Sequence, residues 1–308
     1  MAKKIPKIIK EIKKYTPEEV NFGYEKLISY SQLSMYNQCP RKWALQYIEG
    51  HKAKEYNIHQ VFGTSMHETL QNYLNVMFDE SATRAEDFEN RFRTIYSETY
   101  KKNNNTHFSS PEQLGEFFDD GTAILEYFKK NRKKYFSKRG WYLAGCEIPI
   151  VVTPNPYLPN VIFRGFLDVV LYHEPTQTFK ILDIKTSTRG WKNKEKKDEN
   201  KQFQLILYKQ FFAKQFNIEL DKIEIEFLIV KRKIYEESEF IIPRIQQFTP
   251  PSGKIKQNKA RNSLEKFMKD CFFREGYKEK EYQPTVNDYC KYCTFYKTYL
   301  CSATVDKI

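Results

Sequence analysis

The chain has 308 residues, enough for one large domain or two smaller ones with a real core, and its 24 Phe and 22 Tyr exclude a disordered polypeptide. Lysine and arginine outnumber aspartate and glutamate 51 to 39, a net charge of +12 that favours a polyanionic partner, most simply nucleic acid. There is no apolar run of about 18 residues and no signal peptide, so a soluble, cytoplasmic protein without a membrane partner is expected; in such a compartment the six cysteines are expected to be thiols or metal ligands rather than disulfides.

Residues 1 to 28 read as a basic N-terminal arm. The first fourteen, MAKKIPKIIKEIKK, carry six lysines against one glutamate and suit a solvated arm or short helix, or an arm that touches DNA. A single domain follows over 29 to 308. It opens with SYSQLSMYNQCPRKWALQYIEG, where Ser31 is a candidate helix cap, Leu33, Met35 and Tyr36 precede Cys39 and Pro40, and a second helix after Pro40 offers Trp43, Leu45 and Tyr47 for packing. Residues 58 to 78 predict a helix with His67, Leu70, Leu74 and Met77 on one stripe. His67 is there either a hydrogen-bonded core residue or a ligand. A helical insertion is expected over 64 to 140, with the turn-like NNNTHFSSPEQ as its loop, covering one side of any site.

Residues 141 to 231 predict a central sheet and a helix. Trp141 to Val152 reads as the first sheet strand, with Glu147 near its middle. Phe163 to His173 and Thr178 to Lys185 then form a hairpin about the turn Glu174-Pro175-Thr176-Gln177. If His173 faces Thr178, Asp168 falls opposite Asp183, and Lys185 emerges on the same face as Asp183. Two carboxylates so placed repel, and a hard divalent cation relieves the repulsion. The competing reading is a buried Asp183–Lys185 ion pair with Asp168 solvated elsewhere, and a one-residue slip of the turn would put the two Asp side chains on opposite faces.

The polar, mostly basic stretch from Thr186 is expected to be a loop beside the site. Lys201 to Phe216 reads as a helix on which Gln204 and Tyr208 share a face, either at the site or in ordinary edge packing. Ile223 to Lys231 alternates as a strand, 244 to 261 reads as a basic loop, and Ser263 to Glu275 as a helix in which Cys271 is a core thiol. The stretch 284 to 301 closes the chain with Cys290, Cys293 and Cys301. Cys-x₂-Cys alone also serves zinc.

Taken in order, YNQCPRKW, FGTSMH, GFLD, LDIKTS, QLILY and CKYC resemble the PD-(D/E)XK nucleases of the RecB type, from about Ser29 to Cys301. The closing cysteines are similar to those of the iron-sulfur subgroup, which includes the AddB nuclease domain and the CRISPR adaptation nucleases. The resemblance implies an α/β fold with a restriction-endonuclease-like core, a mixed β-sheet flanked by helices, a helical insertion and a C-terminal cysteine cluster. It also implies that His67, Asp168 and Asp183, with the main-chain carbonyl of Ile184, would hold Mg²⁺ or Mn²⁺. Lys185 would orient the attacking water or neutralise charge on the phosphate, and Gln204 and Tyr208 would steady the DNA or the lysine. Glu147 could reach the metal through water or pair with a lysine. Cys39, Cys290, Cys293 and Cys301 would hold a [4Fe-4S] cluster that clasps the two ends of the domain. Seven residues separate Cys293 from Cys301, wider than the family's usual gap, which keeps zinc or a metal-free cluster open.

The expected activity is metal-dependent hydrolysis of DNA phosphodiester bonds, as an exonuclease on single-stranded ends in recombination or repair. A catalytically idle DNA-binding or docking subunit and a CRISPR spacer-processing nuclease are the alternatives. No GxxxxGK[ST] loop occurs, so a helicase or recombination partner would be another chain.

Overall fold

The structure is a computed structural model that describes residues 5–17, 26–51, 56–78, 87–235, 240, 242–273 and 276–301. In chain order come helix α1 (Lys7–Lys14), strand β1 (Lys26–Ile28), helices α2 (Tyr30–Gln38), α3 (Pro40–Tyr47), α4 (Ile58–Phe78), α5 (Phe88–Lys102) and α6 (Pro111–Tyr135). The central strands are β2 (Trp141–Val152), β3 (Val161–His173) and β4 (Thr178–Ser187), followed by α7 (Asn193–Lys197) and α8 (Glu199–Phe216). Strands β5 (Ile223–Lys231) and β6 (Ile245–Phe248), helix α9 (Lys254–Cys271) and the short ribbon β7 (Phe272–Phe273) and β8 (Gly276–Tyr277) complete the order.

The main sheet runs β1-β3-β4-β5-β6, with β2 also paired to β3. Pairing is antiparallel for β2–β3, β3–β4 and β5–β6, and parallel for β1–β3 and β4–β5, so the sheet is mixed. Its β-branched and aromatic strands are buried on both faces. One face packs Phe163, Leu167, Ile181 and Phe227 against α8, α9 and the segment around Trp43. The other packs Val169, Leu182 and Ile184 against α4, α5 and α6. Trp43 is fully buried and donates its indole N–H to Gln32 at 3.3 Å, anchoring the segment that carries Cys39; truncating such a side chain costs about 3–5 kcal/mol.

The edge of β3 is divided. Phe163 pairs with Val152 of β2 on one side and with Ile28 of β1 on the other, while Val169 to His173 pair with β2 and β4. Strands β1 and β4 therefore share one edge of β3, and Arg164 to Asp168 lie between them with no strand partner there among the described residues. Strand β3 also turns over within this gap. Side chains two apart on a regular strand share a face, yet Leu167 packs on the α8 side and Val169 on the α4 side, so the pleat changes phase at Asp168.

Several expectations are corrected. Residues 1–4 and 18–25 of the expected arm lie outside the described residues; of the rest, Lys7–Lys14 is the short helix the sequence allowed, but it buries Ile9 and Ile12 in the core, and Lys26–Ile28 is a sheet strand that precedes Trp141–Val152. Ser29, not Ser31, caps α2, accepting from the Gln32 amide at 3.3 Å. The loop expected after Thr186 contains α7, and Trp191 within it packs on Phe227 at 4.9 Å between centroids. Much of 244–261 is ordered as β6 and the first half of α9, which starts after Gly253 because Lys, Gln and Ala are good helix formers once past the prolines. Residues 79–86, within the expected insertion, lie outside the described residues. Cys271 is a fully buried thiol, as expected.

Candidate active site

The expected hairpin register holds: His173 faces Thr178, and the ladder continues to Val169–Leu182. The next step would pair Asp168 with Asp183, but there the strands separate and side chains take over. Asp168 Oδ2 accepts from the Ile184 amide at 2.7 Å and lies 3.4 Å from His67 Nδ1. Lys185 Nζ stands 2.8 Å from Asp183 Oδ2. The ion pair of the competing reading is thus present, but Asp168 is not elsewhere; four of the sequence candidates, His67, Asp168, Asp183 and Lys185, meet at the divided edge.

On α4, Gln71 sits one turn beyond His67 and shares its face. Its buried amide donates to Glu147 Oε1 and, at 3.0 Å, to the Asp168 carbonyl. Glu147 has φ of +52°, in the left-handed region, at the point in β2 that faces Asp168. Glu147, Asp168 and Asp183 therefore follow one another across three neighbouring strands. Gln71 was not among the sequence candidates, and its i+4 spacing from His67 was the one available signal.

Tyr208 lies on α8 over the gap, and Gln204 stands one turn before it on the same helix. A methyl group added at Gly165 would stand 2.8 Å from the Tyr208 ring, so the glycine of GFLD lets the ring lie flush on β3. On the opposite side α4 approaches β4 closely, with Gly63 against the Thr186 hydroxyl. An open cleft of about 670 Å³ lies along α4, lined by His59, Gly63, His67, Gln71, Glu147 and Thr186.

Burial, followed by the facing Asp183 charge, holds the Asp168 carboxyl well above the usual range. Burial lowers His67, against the pull of Asp183, and leaves a neutral imidazole able to coordinate. Burial alone would lower Lys185, but Asp183 and Asp168 outweigh it and raise its pKa, keeping it an ammonium. Burial, then Asp183, also raises the Tyr208 hydroxyl.

The fit to a cation can be tested on Asp183, which is 1% exposed and whose Oδ2, among the described residues, is met by the Lys185 ammonium at 2.8 Å and by no further donor. An ionised carboxylate with one cationic partner keeps lone pairs open to a further ligand. With the raised Asp168 and the neutral His67 beside it, it offers the hard-ligand set a divalent cation takes. Among the described residues no three His, Cys, Asp or Glu side chains stand at the spacing of a ready metal cage; Lys185 meets the Asp183 charge instead.

The cysteines converge as well. Cys39, Cys290, Cys293 and Cys301, all free thiols, line one small pocket with Thr285 and Asn287. Main-chain amides point at the sulfurs: Lys42 and Thr285 donate to Cys39 Sγ at 3.4 and 3.5 Å, and Asn287 donates to Cys290 Sγ at 3.5 Å.

Compared with known families, residues 27–298 match the model of the PD-(D/E)XK nuclease superfamily. The chain belongs to that superfamily. No curated protein matches it. As a PD-(D/E)XK nuclease it has the restriction-endonuclease-like architecture expected from the sequence, a mixed sheet flanked by helices. Superfamily membership makes it a nuclease-type hydrolase, with DNA as the substrate class and Mg²⁺ or Mn²⁺ as the usual metal. No described helix of this PD-(D/E)XK chain is long and apolar enough to cross a membrane.

Proposed function

We propose that this chain is a divalent-metal-dependent exonuclease that hydrolyses phosphodiester bonds at single-stranded DNA ends, in recombination or repair. The observation that carries the proposal is the convergence of Asp168, Asp183 and Lys185 at the split edge of β3, beside an open cleft. In this reading His67, Asp168, Asp183 and the Ile184 carbonyl hold Mg²⁺ or Mn²⁺. That ion would supply positive charge at the scissile phosphate and lower the pKa of the attacking water.

The chain's own residues do the rest. Lys185, held charged by Asp183, neutralises the phosphate oxygens as the attack builds charge on them. Gln71 and the Ile184 amide fix Glu147 and Asp168, so little reorganisation accompanies the step. Tyr208 closes the gap from the α8 side and limits water there.

The cysteine pocket is proposed to hold a [4Fe-4S] cluster with a structural role, joining the α2–α3 junction to the chain's closing segment. Four thiols and inward-pointing amides support that assignment over a plain core.

The test is incubation with linear and circular single-stranded DNA in Mn²⁺. Degradation of the linear form alone supports the proposal. Equal cutting of the circle would overturn the exonuclease assignment, and no cutting of either would favour the idle docking subunit.

A further inference from the structure

The end of α6 and the turn after it carry a dense run of positive charge outside the site. Between 129 and 139 there are seven basic residues and no acidic one: Lys129, Lys130, Arg132, Lys133 and Lys134 on the helix, then Lys138 and Arg139. All but Arg132 are exposed. Elsewhere many surface cations are matched, Lys256 and Lys259 with Glu199, Lys194 with Asp288, Lys269 with Glu265. Lys129, Lys130, Lys133, Lys134 and Arg139 make no ion pair among the described residues. The helix dipole accounts for Arg132, Lys133 and Lys134 in the last turn. It does not account for Lys129 and Lys130 a turn earlier, or for Arg139 past the end.

The patch is tied to the active site through α4. Tyr73 packs on Phe128 at 5.2 Å between centroids and meets Arg132 at 3.5 Å. It lies six residues from His67, about 9 Å along the helix. From the sheet side, a hollow of about 140 Å³ beside the patch is lined by Lys133, Lys134, Trp141, Lys180, Leu171 and Leu182. Leu171 is three residues from Asp168 on β3, about 10 Å away.

We infer that Lys129 to Arg139 form a track for the phosphate backbone of the nucleic acid strand flanking the scissile bond. The placement of that strand rests on the nuclease reading; the track itself is a binding claim. A run of exposed cations binds by releasing counterions, so it is sequence-independent and steeply salt-dependent.

The test is fluorescence anisotropy in EDTA, where no cleavage complicates binding, using a single-stranded oligonucleotide of about 20 nucleotides over a salt series. The quartet Lys129→Gln, Lys130→Gln, Lys133→Gln and Lys134→Gln should bind about tenfold or more weakly at low salt. Its log K against log salt slope should be shallower by up to about 3, at roughly 0.7 per lost phosphate contact. The pair Lys129→Gln and Lys133→Gln should lose about half of that, which keeps the test open if the quartet folds poorly. A control quartet at the paired Lys194, Lys256, Lys259 and Lys269 should keep most of the slope. Unchanged slope in the test quartet, or an equal loss in the control, would overturn the inference. So would loss of binding to phosphatidylserine vesicles with DNA binding intact, which would assign the patch to a membrane surface. Because the readout needs no turnover, a protein that binds this way but never cleaves DNA would sink the nuclease reading and leave the track standing.

Discussion

Asp168 caps the Ile184 amide at 2.7 Å across the point where the β3–β4 ladder ends. A side-chain oxygen thus replaces the main-chain acceptor that a continued ladder would supply, and the separation of the strands is what leaves room beside Asp183. The two demands on Asp168, acceptor and anion, can be separated. Asp168→Asn keeps an oxygen for Ile184 and removes one of two facing charges, so its unfolding midpoint in EDTA should match or exceed that of the wild type, while DNA cleavage falls by about 100-fold or more. Asp168→Leu leaves the buried amide unpaired and should cost about 1–3 kcal/mol in urea unfolding.

At Gly165 the Tyr208 ring lies where a methyl would go. Gly165→Ala should displace the ring, lowering stability by about 1–3 kcal/mol and cleavage with it. Tyr208→Phe keeps the ring in place and should leave the fold intact. A purified Gly165→Ala protein with wild-type melting and turnover would show that α8 does not close the gap.

The helical insertion is fastened to the end of β5 through Arg232, which meets Asp120 at 2.6 Å and Glu116 at 2.8 Å. Asp120 is buried, and Asp120→Ala should cost about 3 kcal/mol by leaving a buried guanidinium underpaired. The Glu116 side chain is 44% exposed, so Glu116→Gln should cost less than about 1 kcal/mol, and less again in high salt. Hydrogen bonds from Lys233 and then Arg232 depress Glu116 from 4.5 to about 2. A depressed carboxylate stabilises above its unfolded pKa and loses that contribution as pH falls toward the folded value, so the Glu116→Gln deficit should shrink on acidification from 4.5 toward about 2. Stability curves of both variants against pH check the two claims together.

Six cysteines divide into two sets by position. Cys39→Ser, Cys290→Ser, Cys293→Ser and Cys301→Ser should each abolish the brown colour and iron content of an anaerobic preparation and lower its melting temperature. Cys146→Ser and Cys271→Ser, whose thiols burial pushes up to about 12, should retain both colour and iron. Zinc in place of iron would move the assignment to a structural zinc site.

Much of this was legible in the sequence because the informative signals were local. The turn at Glu174-Pro175-Thr176-Gln177 set the hairpin register from His173–Thr178 to Val169–Leu182, which brings Asp168 and Asp183 to the end of the ladder, though the strands part before the two would pair. The apolar stripe of 58–78 bounded α4 correctly. What escaped was non-local or short. Lys26–Ile28 is three residues long, too short for a period, and forms a strand only because β3 lies beside it. The start of α9 is lysine-rich and buries little, so no apolar rhythm marks it. The change of phase at Asp168 leaves no trace in hydrophobic pattern, since β3 is apolar on both faces, and Gln71 gains its role only when α4 crosses Glu147.

The central claim is most directly tested by cleavage of end-labelled single-stranded DNA in Mn²⁺ by the wild type and by Asp183→Asn, each shown to be folded by its melting curve. The wild type should shorten the substrate in Mn²⁺ and not in EDTA, with the variant slower by about 100-fold or more. Equal rates for the two proteins would contradict the assignment of this carboxylate, and with it the site.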